Sequence, residues 1–263
     1  ELLMKKHKLL IFTVLVIAMS ISSIGILYYG LQYLSARWEY HDLSSQFISR
    51  QEQKTSVSSN DTESSEPLTD SDWLNIDYDA FYKKNSDFAG IIYIPAIDLL
   101  YPFTRAEDNT KYLKTTFGGY ENNSGCLFLD YRNKKNMSSL HSFIYGHNMK
   151  DGSMFGSLKK FDYEPELALE SPYVYIYVDN ICYTYKIYAY YEATENDGTY
   201  NMVTKAASIS QYMKHALILS QFPGYTDDGT TTDQLLTLST CWGEKNHFFV
   251  VQCFLESAEH VRS

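Results

Sequence analysis

The sequence contains few cysteines and no excess of basic charge, and both shortages exclude classes of protein. Four cysteines in 263 residues are too few for a disulfide-built scaffold. None of them lies in a CxxC pair or a Cys/His ladder of the kind that binds zinc. The 22 Lys and Arg residues are outnumbered by 32 Asp and Glu, which argues against a nucleic-acid-binding protein because such a protein needs a basic face. Internal repeats are also absent.

The residues that are abundant indicate a folded, mostly β protein. Apolar residues make up 44% of the chain, which excludes global disorder. The 24 tyrosines favour β-structure with half-exposed faces. The length suits one domain of ordinary size with extensions, or two small domains.

The N-terminal region has the composition of a membrane anchor. Lys5, Lys6 and Lys8 precede an apolar run over residues 9–31, which as a helix would extend about 34 Å and cross a ~30 Å hydrocarbon core. The positive-inside rule places the N-terminus in the cytoplasm and the rest of the chain outside. The alternative is a cleaved signal peptide, whose apolar core is usually only ~7–15 residues long.

The region after the apolar run divides the chain into three predicted segments. Residues 51–72 contain six Ser, three Thr and six acidic residues, and such a composition predicts a solvated linker. We therefore predict a cytoplasmic stub and transmembrane anchor over residues 1–36, a juxtamembrane segment and acidic linker over 37–72, and one exported domain over 73–263. A short helix over residues 36–50 is compatible with this division.

The exported domain reads as a β-barrel with inserted helices. A helix is predicted to begin at Asp70 or Asp72, and a second, amphipathic helix to span residues 208–221. Eight short β-like runs alternate with turn residues; they cover residues 90–94, 99–103, 125–129, 142–145, 173–178, 182–192, 234–239 and 248–255. Because closure removes exposed sheet edges, eight strands of this kind predict a closed barrel.

Two local motifs carry residues suited to nucleophilic catalysis. One strand ends in Cys241, and another runs into His147 and a glycine-containing turn. A cysteine nucleophile needs a nearby imidazole to transfer protons, and a barrel can bring two strand ends together. Taken alone, such a cysteine is more often a small core residue, and such a histidine is more often a hydrogen-bonded surface residue.

The remaining cysteines and histidines have no comparable setting. The other cysteines lie inside apolar runs, where we expect free core thiols; they are Cys126, Cys182 and Cys253. The other histidines have no functional signal; they are His7, His41, His141, His215 and His260.

The two motifs resemble those of the sortases, class B in particular. The sequence TLSTC at Thr237–Cys241 and the sequence YGHNMKDGSMFGSLKKF at residues 145–161 carry the resemblance. Residues 87–95, Asp108-Asn109 with Tyr112-Leu113, and residues 128–132 are also similar to class B segments. The predicted helix over 208–221 matches the insertion that class B sortases carry between strands six and seven.

The resemblance implies an activity, its residues and its partners. It implies a membrane-anchored cysteine transpeptidase on the outer face of a Gram-positive membrane, without a metal or organic cofactor. Cys241 would attack a sorting motif of the Asn-Pro-x-Thr type in a secreted protein and form a thioacyl intermediate, while His147 would act as general acid and base. A peptidoglycan precursor or wall-peptide amine would then accept the acyl group.

The sequence departs from the family pattern at one residue. Sortases have an arginine at the start of the last strand, followed by an apolar residue and Val-Val, whereas Phe248 holds that position here. Lys245, Asn246 and His247 are candidates to replace its hydrogen-bond donors. The alternative function is a catalytically impaired sortase-like surface protein that binds sorting signals or wall peptides.

Overall fold

The computed structural model describes residues 2–50, 67, 72–226, 229, 231–241 and 246–261. Most of the predicted acidic linker and Lys245 lie outside these residues, and the predicted segment boundaries stay predictions. Within the described residues, one helix is long and apolar enough to cross a membrane. This helix, α1 (Leu2–Phe47), has 46 residues, and its apolar stretch is exposed, as lipid contact requires.

Two short paired strands follow α1, and the predicted linker lies between them in the sequence. Strand β1 (Ile48–Arg50) pairs with β2 (Leu74–Ile76) in an antiparallel sheet, and helix α2 (Tyr78–Lys84) comes next. The prediction that this helix begins at Asp70 or Asp72 is wrong. Residues 74–76 are taken into the pairing with β1, and Asp77 caps the helix by accepting a hydrogen bond from the Ala80 N–H (2.9 Å).

The main body is a closed barrel of eight strands, which confirms the predicted architecture. The strands are β3 (Phe88–Ile94), β4 (Leu99–Thr104), β5 (Leu127–Leu129), β6 (His141–Tyr145), β7 (Tyr173–Val178), β8 (Ile181–Thr194), β9 (Leu235–Cys241) and β10 (His247–His260). Their order around the barrel is β10-β8-β7-β3-β4-β5-β6-β9. The β4–β5 and β6–β9 pairs are parallel, and the other pairs are antiparallel. All eight predicted strands are present.

Helices between the strands cover the outside of the barrel. Short helices α3 (Lys160–Tyr163) and α4 (Glu166–Glu170) precede β7, and α5 (Ile209–Leu219) lies between β8 and β9, which confirms the predicted insertion. Helix α5 buries one face, at Ile209, Tyr212, Met213 and Ala216, as its 3.6-residue periodicity predicts.

Many tyrosines are deeply buried, so the prediction of half-exposed tyrosine faces is wrong for β7 and β8. The fully buried tyrosines are Tyr175, Tyr177, Tyr185, Tyr188, Tyr190 and Tyr191. Helices α3 and α5 contact the outer face of β8, which leaves this strand covered on both sides. The Tyr185 hydroxyl donates to the Gln234 Oε1 (3.2 Å), whereas the buried Tyr188 hydroxyl has no hydrogen-bond partner among the described residues.

A buried hydrogen-bond network joins the sheet to α5. The Val203 N–H donates to His141 Nδ1 (3.3 Å), so Nε2 carries the ring proton and donates to Thr237 Oγ1 (2.8 Å). The Thr237 hydroxyl donates to Gln252 Oε1 (2.7 Å), and Gln252 Nε2 donates to the Tyr212 hydroxyl (3.2 Å). The network fixes β6, β9 and β10 in register and requires a neutral His141.

This network predicts a pH-dependent stability. Burial lowers the pKa of His141 to about 3, whereas the unfolded side chain titrates near 6.5. The stability that the neutral ring contributes is therefore complete above pH 6.5 and is lost as the pH falls toward 3. This contribution changes the free energy of unfolding of the wild type by up to about 1.4 kcal/mol per pH unit. We expect His141→Gln to abolish this part of the pH dependence.

The measurement is urea unfolding of the full chain in detergent micelles, followed by tryptophan fluorescence between pH 3 and 7. The control is His41→Gln, because His41 is exposed on α1, and its slope with pH should match that of the wild type. Equal slopes for His141→Gln and the wild type would contradict the prediction.

Candidate active site

The parallel pairing of β6 and β9 brings the two predicted site residues to one end of the barrel. Tyr145 pairs with Ser239, and the Gly146 N–H donates to the Ser239 carbonyl (3.1 Å). His147 and Cys241 each lie two residues beyond this pair. Because the strands run in the same direction, both residues follow at the same edge of the sheet. The structure describes the backbone of Cys241 and not its side chain.

A groove of about 540 Å³ opens at this edge. Its lining consists of Asn109, Leu113, Phe128, Tyr145, Gly146, His147, Glu195, Tyr200, Ser239, Thr240 and Phe248. The lining is mainly apolar and aromatic, and Glu195 is its one carboxylate among the described residues. Thr240, the neighbour of Cys241 in the chain, contributes to the wall of the groove.

A backbone carbonyl orients His147. The half-buried ring donates from Nε2 to the Leu113 carbonyl (2.5 Å). Since a carbonyl only accepts, this contact assigns the ring proton to Nε2. In this tautomer, Nδ1 is the ring nitrogen that is able to accept a proton.

The crossover segment (residues 105–126) between β4 and β5 carries that carbonyl and packs against the histidine ring. The Cys126 N–H donates to the Tyr112 carbonyl (3.0 Å), and this hydrogen bond holds the end of the segment against its middle. Gly125 has a φ of +58°, and a Cβ there would overlap the Tyr112 carbonyl, lie 2.9 Å from the Leu113 oxygen and 3.1 Å from His147 Cδ2. Only glycine fits this position, both for its left-handed conformation and for its close contacts.

Phe248 lies directly across from Cys241. The two residues pair in the antiparallel register of β10 and β9, and Phe248 lines the groove. Its ring contacts Tyr200 edge-on, with centroids 5.4 Å apart, and the Tyr200 hydroxyl hydrogen-bonds Ser239 Oγ (2.8 Å). An aromatic cluster thus occupies the place where the family arginine is expected.

Two of the candidate replacements for that arginine, Asn246 and His247, come directly before Phe248 at the start of β10. Asn246 is exposed with a φ of +66°, and His247 is half-buried. Neither belongs to the lining that the described residues form. Lys245 lies outside the described residues.

A buried carboxylate fixes one wall of the groove. Asp130 is fully buried and accepts two hydrogen bonds from the Arg132 guanidinium (2.8 Å each). It also accepts from the Tyr145 hydroxyl (3.1 Å) and from Asn109 Nδ2 (3.0 Å). Burial alone would raise the pKa of Asp130, but the Arg132 hydrogen bonds hold that pKa below its ordinary value. The ionised carboxylate therefore positions two groove-lining side chains.

The other three cysteines are free and buried, as predicted. Burial raises the pKa of the Cys126 and Cys182 thiols to about 12, and it also raises the pKa of Cys253. Thiolates are the nucleophilic form of cysteine, so these three thiols are inert at neutral pH. Among the described residues, no cluster of His, Cys, Asp and Glu has the makeup of a metal site.

Several groove residues had no signal in the sequence. Leu113 acts through its backbone carbonyl, which no side-chain pattern reveals. Glu195 and Tyr200 lie in the irregular connection between β8 and α5, and they reach the groove only through the folding of that connection. A close spacing of Asp130 and Arg132 was visible, but only the fold shows that it supports the groove.

Comparisons with known proteins agree with this architecture. A family model described as Sortase domain matches residues 92–255. Sortase B of Listeria monocytogenes serovar 1/2a is 31% identical over 168 residues, which are 63% of this chain and 67% of that protein. Sortase B of Staphylococcus aureus is 26% identical over 176 residues, which are 62% of this chain and 67% of that protein.

Solved structures show the same fold. The crystal structure of sortase B from B. anthracis in complex with AAEK1 superposes with a TM-score of 0.66 at 25% identity, covering 86% of this chain and 98% of that one. The structure of sortase B from Listeria monocytogenes has a TM-score of 0.58 at 28% identity, covering 68% of this chain and 99% of that one.

The barrel and its matches define a cysteine transpeptidase that acts on sorting motifs. The chain belongs to the sortase family, and its relatives place it in class B of that family.

Proposed function

We propose that Cys241 is the nucleophile of this transpeptidase and that His147 is its general acid and base. The observation that carries the proposal is the parallel register of β6 and β9, in which both residues follow the Tyr145–Ser239 pair by two positions. The groove at this edge is lined by His147 and by Thr240. The three remaining thiols are buried and protonated, which leaves Cys241 to supply a thiolate.

The reaction proceeds in two acyl transfers. The Cys241 thiolate adds to the carbonyl carbon of the motif's threonine, the C–N bond breaks, and His147 gives a proton to the departing amine. The acceptor amine then adds to the thioester, and His147 takes its proton as the C–S bond breaks. The thiolate is regenerated, so no external oxidant or reductant is consumed.

The substrate is a secreted protein that carries a sorting motif of the Asn-Pro-x-Thr type. Phe128, Tyr145 and Phe248 give the groove an apolar surface on which a proline ring packs favourably. The acceptor is an amine of a cell-wall peptide, and the Glu195 carboxylate attracts an ammonium group to the groove.

The enzyme is anchored in the plasma membrane of a Gram-positive bacterium by α1. The lysines before the apolar stretch place the N-terminus in the cytoplasm and the barrel outside. Both substrates would then meet the groove on the outer face of the membrane.

A direct test compares cleavage of fluorogenic Asn-Pro-x-Thr peptides by the full chain and its variants, with an amine acceptor present. We expect Cys241→Ala to abolish cleavage and His147→Ala to lower the rate by about 10²–10⁴-fold, because the proton transfers then lack their acid and base. His41→Ala serves as the control and should retain the wild-type rate. Cleavage that survives Cys241→Ala would overturn the proposal.

The position of Phe248 favours a second candidate, a catalytically impaired protein that binds sorting signals or wall peptides. Loss of one oxyanion donor commonly costs about 10²–10³ in rate. Binding of the peptides without Cys241-dependent cleavage across a peptide panel would identify this second function.

For the active enzyme, we propose that the segment Lys245, Asn246 and His247 supplies the donor that replaces arginine. Lys245→Ala or His247→Ala should then lower turnover. Asn246→Gly tests the third candidate, because it removes the side-chain amide of Asn246 and preserves the left-handed backbone. The control is Lys205→Ala, which changes a lysine outside the groove lining. Wild-type turnover in all three variants would exclude these side chains and leave backbone N–H groups as the donors.

A further inference from the structure

The portion of α1 that follows the apolar stretch docks on the barrel. Ala36, Tyr40 and Leu43 recur at the i, i+4 and i+7 positions of one helix face, and all three are buried in the same core as the barrel. Helix α1 continues without a break from the apolar stretch into this docked face. Tyr40 lies nine residues, about 14 Å along the helix axis, beyond Leu31.

Polar contacts join the docked face to the crossover segment. The Asn122 side chain donates to the Gln32 carbonyl (2.9 Å), and the Asn123 side chain donates to Gln32 Oε1 (2.9 Å). The Gly118 N–H donates to the Glu39 carboxylate (2.5 Å). The anchor helix therefore binds the same segment that holds the His147 ring through Leu113.

Tyr40 makes the central contact of this interface. Its buried hydroxyl donates to the Gly125 carbonyl (2.7 Å) and accepts from the Phe117 N–H (3.3 Å). Gly125 is the residue packed against the Leu113 carbonyl and the His147 ring. One hydrogen bond thus separates the anchor helix from a backbone residue that lies close to the His147 ring.

A second contact of the same side chain leads, through Tyr101, to the residues that bind the His147 backbone. The Tyr40 ring packs edge-on against Tyr101, with centroids 5.3 Å apart, and the Tyr101 hydroxyl accepts from the Met154 N–H (3.4 Å). Met154 precedes Phe155, whose N–H donates to the His147 carbonyl (3.1 Å). Tyr40 therefore supports both the loop that holds the His147 ring and the turn that holds its backbone.

We propose that Tyr40 is a positioning residue for His147, through which docking of the anchor helix sets the orientation of the histidine. The proposal rests on the catalytic role proposed for His147. That residue follows the end of β6, beyond its paired positions, so the ladder does not set its ring. Loss of the Tyr40 hydroxyl leaves the Gly125 carbonyl and the Phe117 N–H without this partner, and the segment that presents the Leu113 carbonyl loosens.

The test compares Tyr40→Phe with Tyr29→Phe in the full chain in lipid nanodiscs. Tyr29 lies on α1 with its side chain exposed, so the control removes the same hydroxyl from the same helix. Nitrogen-15 NMR of labelled histidines measures the ring tautomer of His147, assigned with His147→Ala. Peptide cleavage measures kcat and KM.

We expect Tyr40→Phe to lower the fraction of His147 protonated at Nε2 and to lower kcat between about 10- and 100-fold, with KM within twofold of the wild type. Tyr29→Phe should match the wild type in all three quantities. A role confined to stability would lower the melting temperature and leave the tautomer unchanged. A folded Tyr40→Phe protein with wild-type tautomer and kcat would overturn the proposal.

Two further outcomes are decisive. If the wild type shows no Cys241-dependent turnover, the proposed function fails, while the tautomer measurement still decides whether Tyr40 orients His147. If Tyr40→Phe does not fold, Tyr101→Phe replaces it, because that variant removes the acceptor for the Met154 N–H and keeps the ring contact. Tyr101→Phe should change the tautomer and kcat in the same direction, and wild-type values for both would overturn the proposal.

Discussion

The parallel pairing of β6 with β9 is the constraint on which the candidate active site of this barrel depends. Two strands that run side by side in the same direction deliver the residues after them to one edge. The pair Tyr145–Ser239 and the hydrogen bond from Gly146 to Ser239 extend this alignment to the mouth of the groove. A slip of one residue would turn the residues of β9 to the opposite face.

Buried polar groups keep that register. Thr237 lies on β9 four residues before Cys241, and it bonds both His141 on β6 and Gln252 on β10. A shifted strand would leave these buried groups without partners, at a cost of about 1–3 kcal/mol for each. At the groove, the Asp130 carboxylate performs a similar task by holding Tyr145 through its hydroxyl.

The strands bring the backbone of His147 to the groove but do not orient its ring. Its orientation comes from the Leu113 carbonyl and from the close packing of Gly125. The segment that contains both residues is in turn bound by α1. Helix α1 is therefore part of the folded structure that supports the crossover segment, in addition to being long and apolar enough to cross a membrane.

The sequence predicted the features that leave a local pattern. Short β-like runs separated by turn residues located all eight strands, and helical periodicity located α5. The prediction from sequence failed where a distant partner decides the structure. Leu74–Ile76 form a strand because they pair with β1. The docking of Tyr40 and the support from Leu113 were not predicted, because each joins residues far apart in the chain and one acts through its backbone.

The central claim is that the acyl group is transferred through Cys241, which lies at the same edge of the sheet as His147. Mass spectrometry of the full chain, quenched in acid during turnover of an Asn-Pro-x-Thr peptide without an amine acceptor, tests it directly. The account predicts a hydroxylamine-sensitive thioester on Cys241 that carries the acyl portion of the peptide up to its threonine. Absence of this adduct during peptide cleavage, or its presence on Cys126, Cys182 or Cys253, would contradict the account.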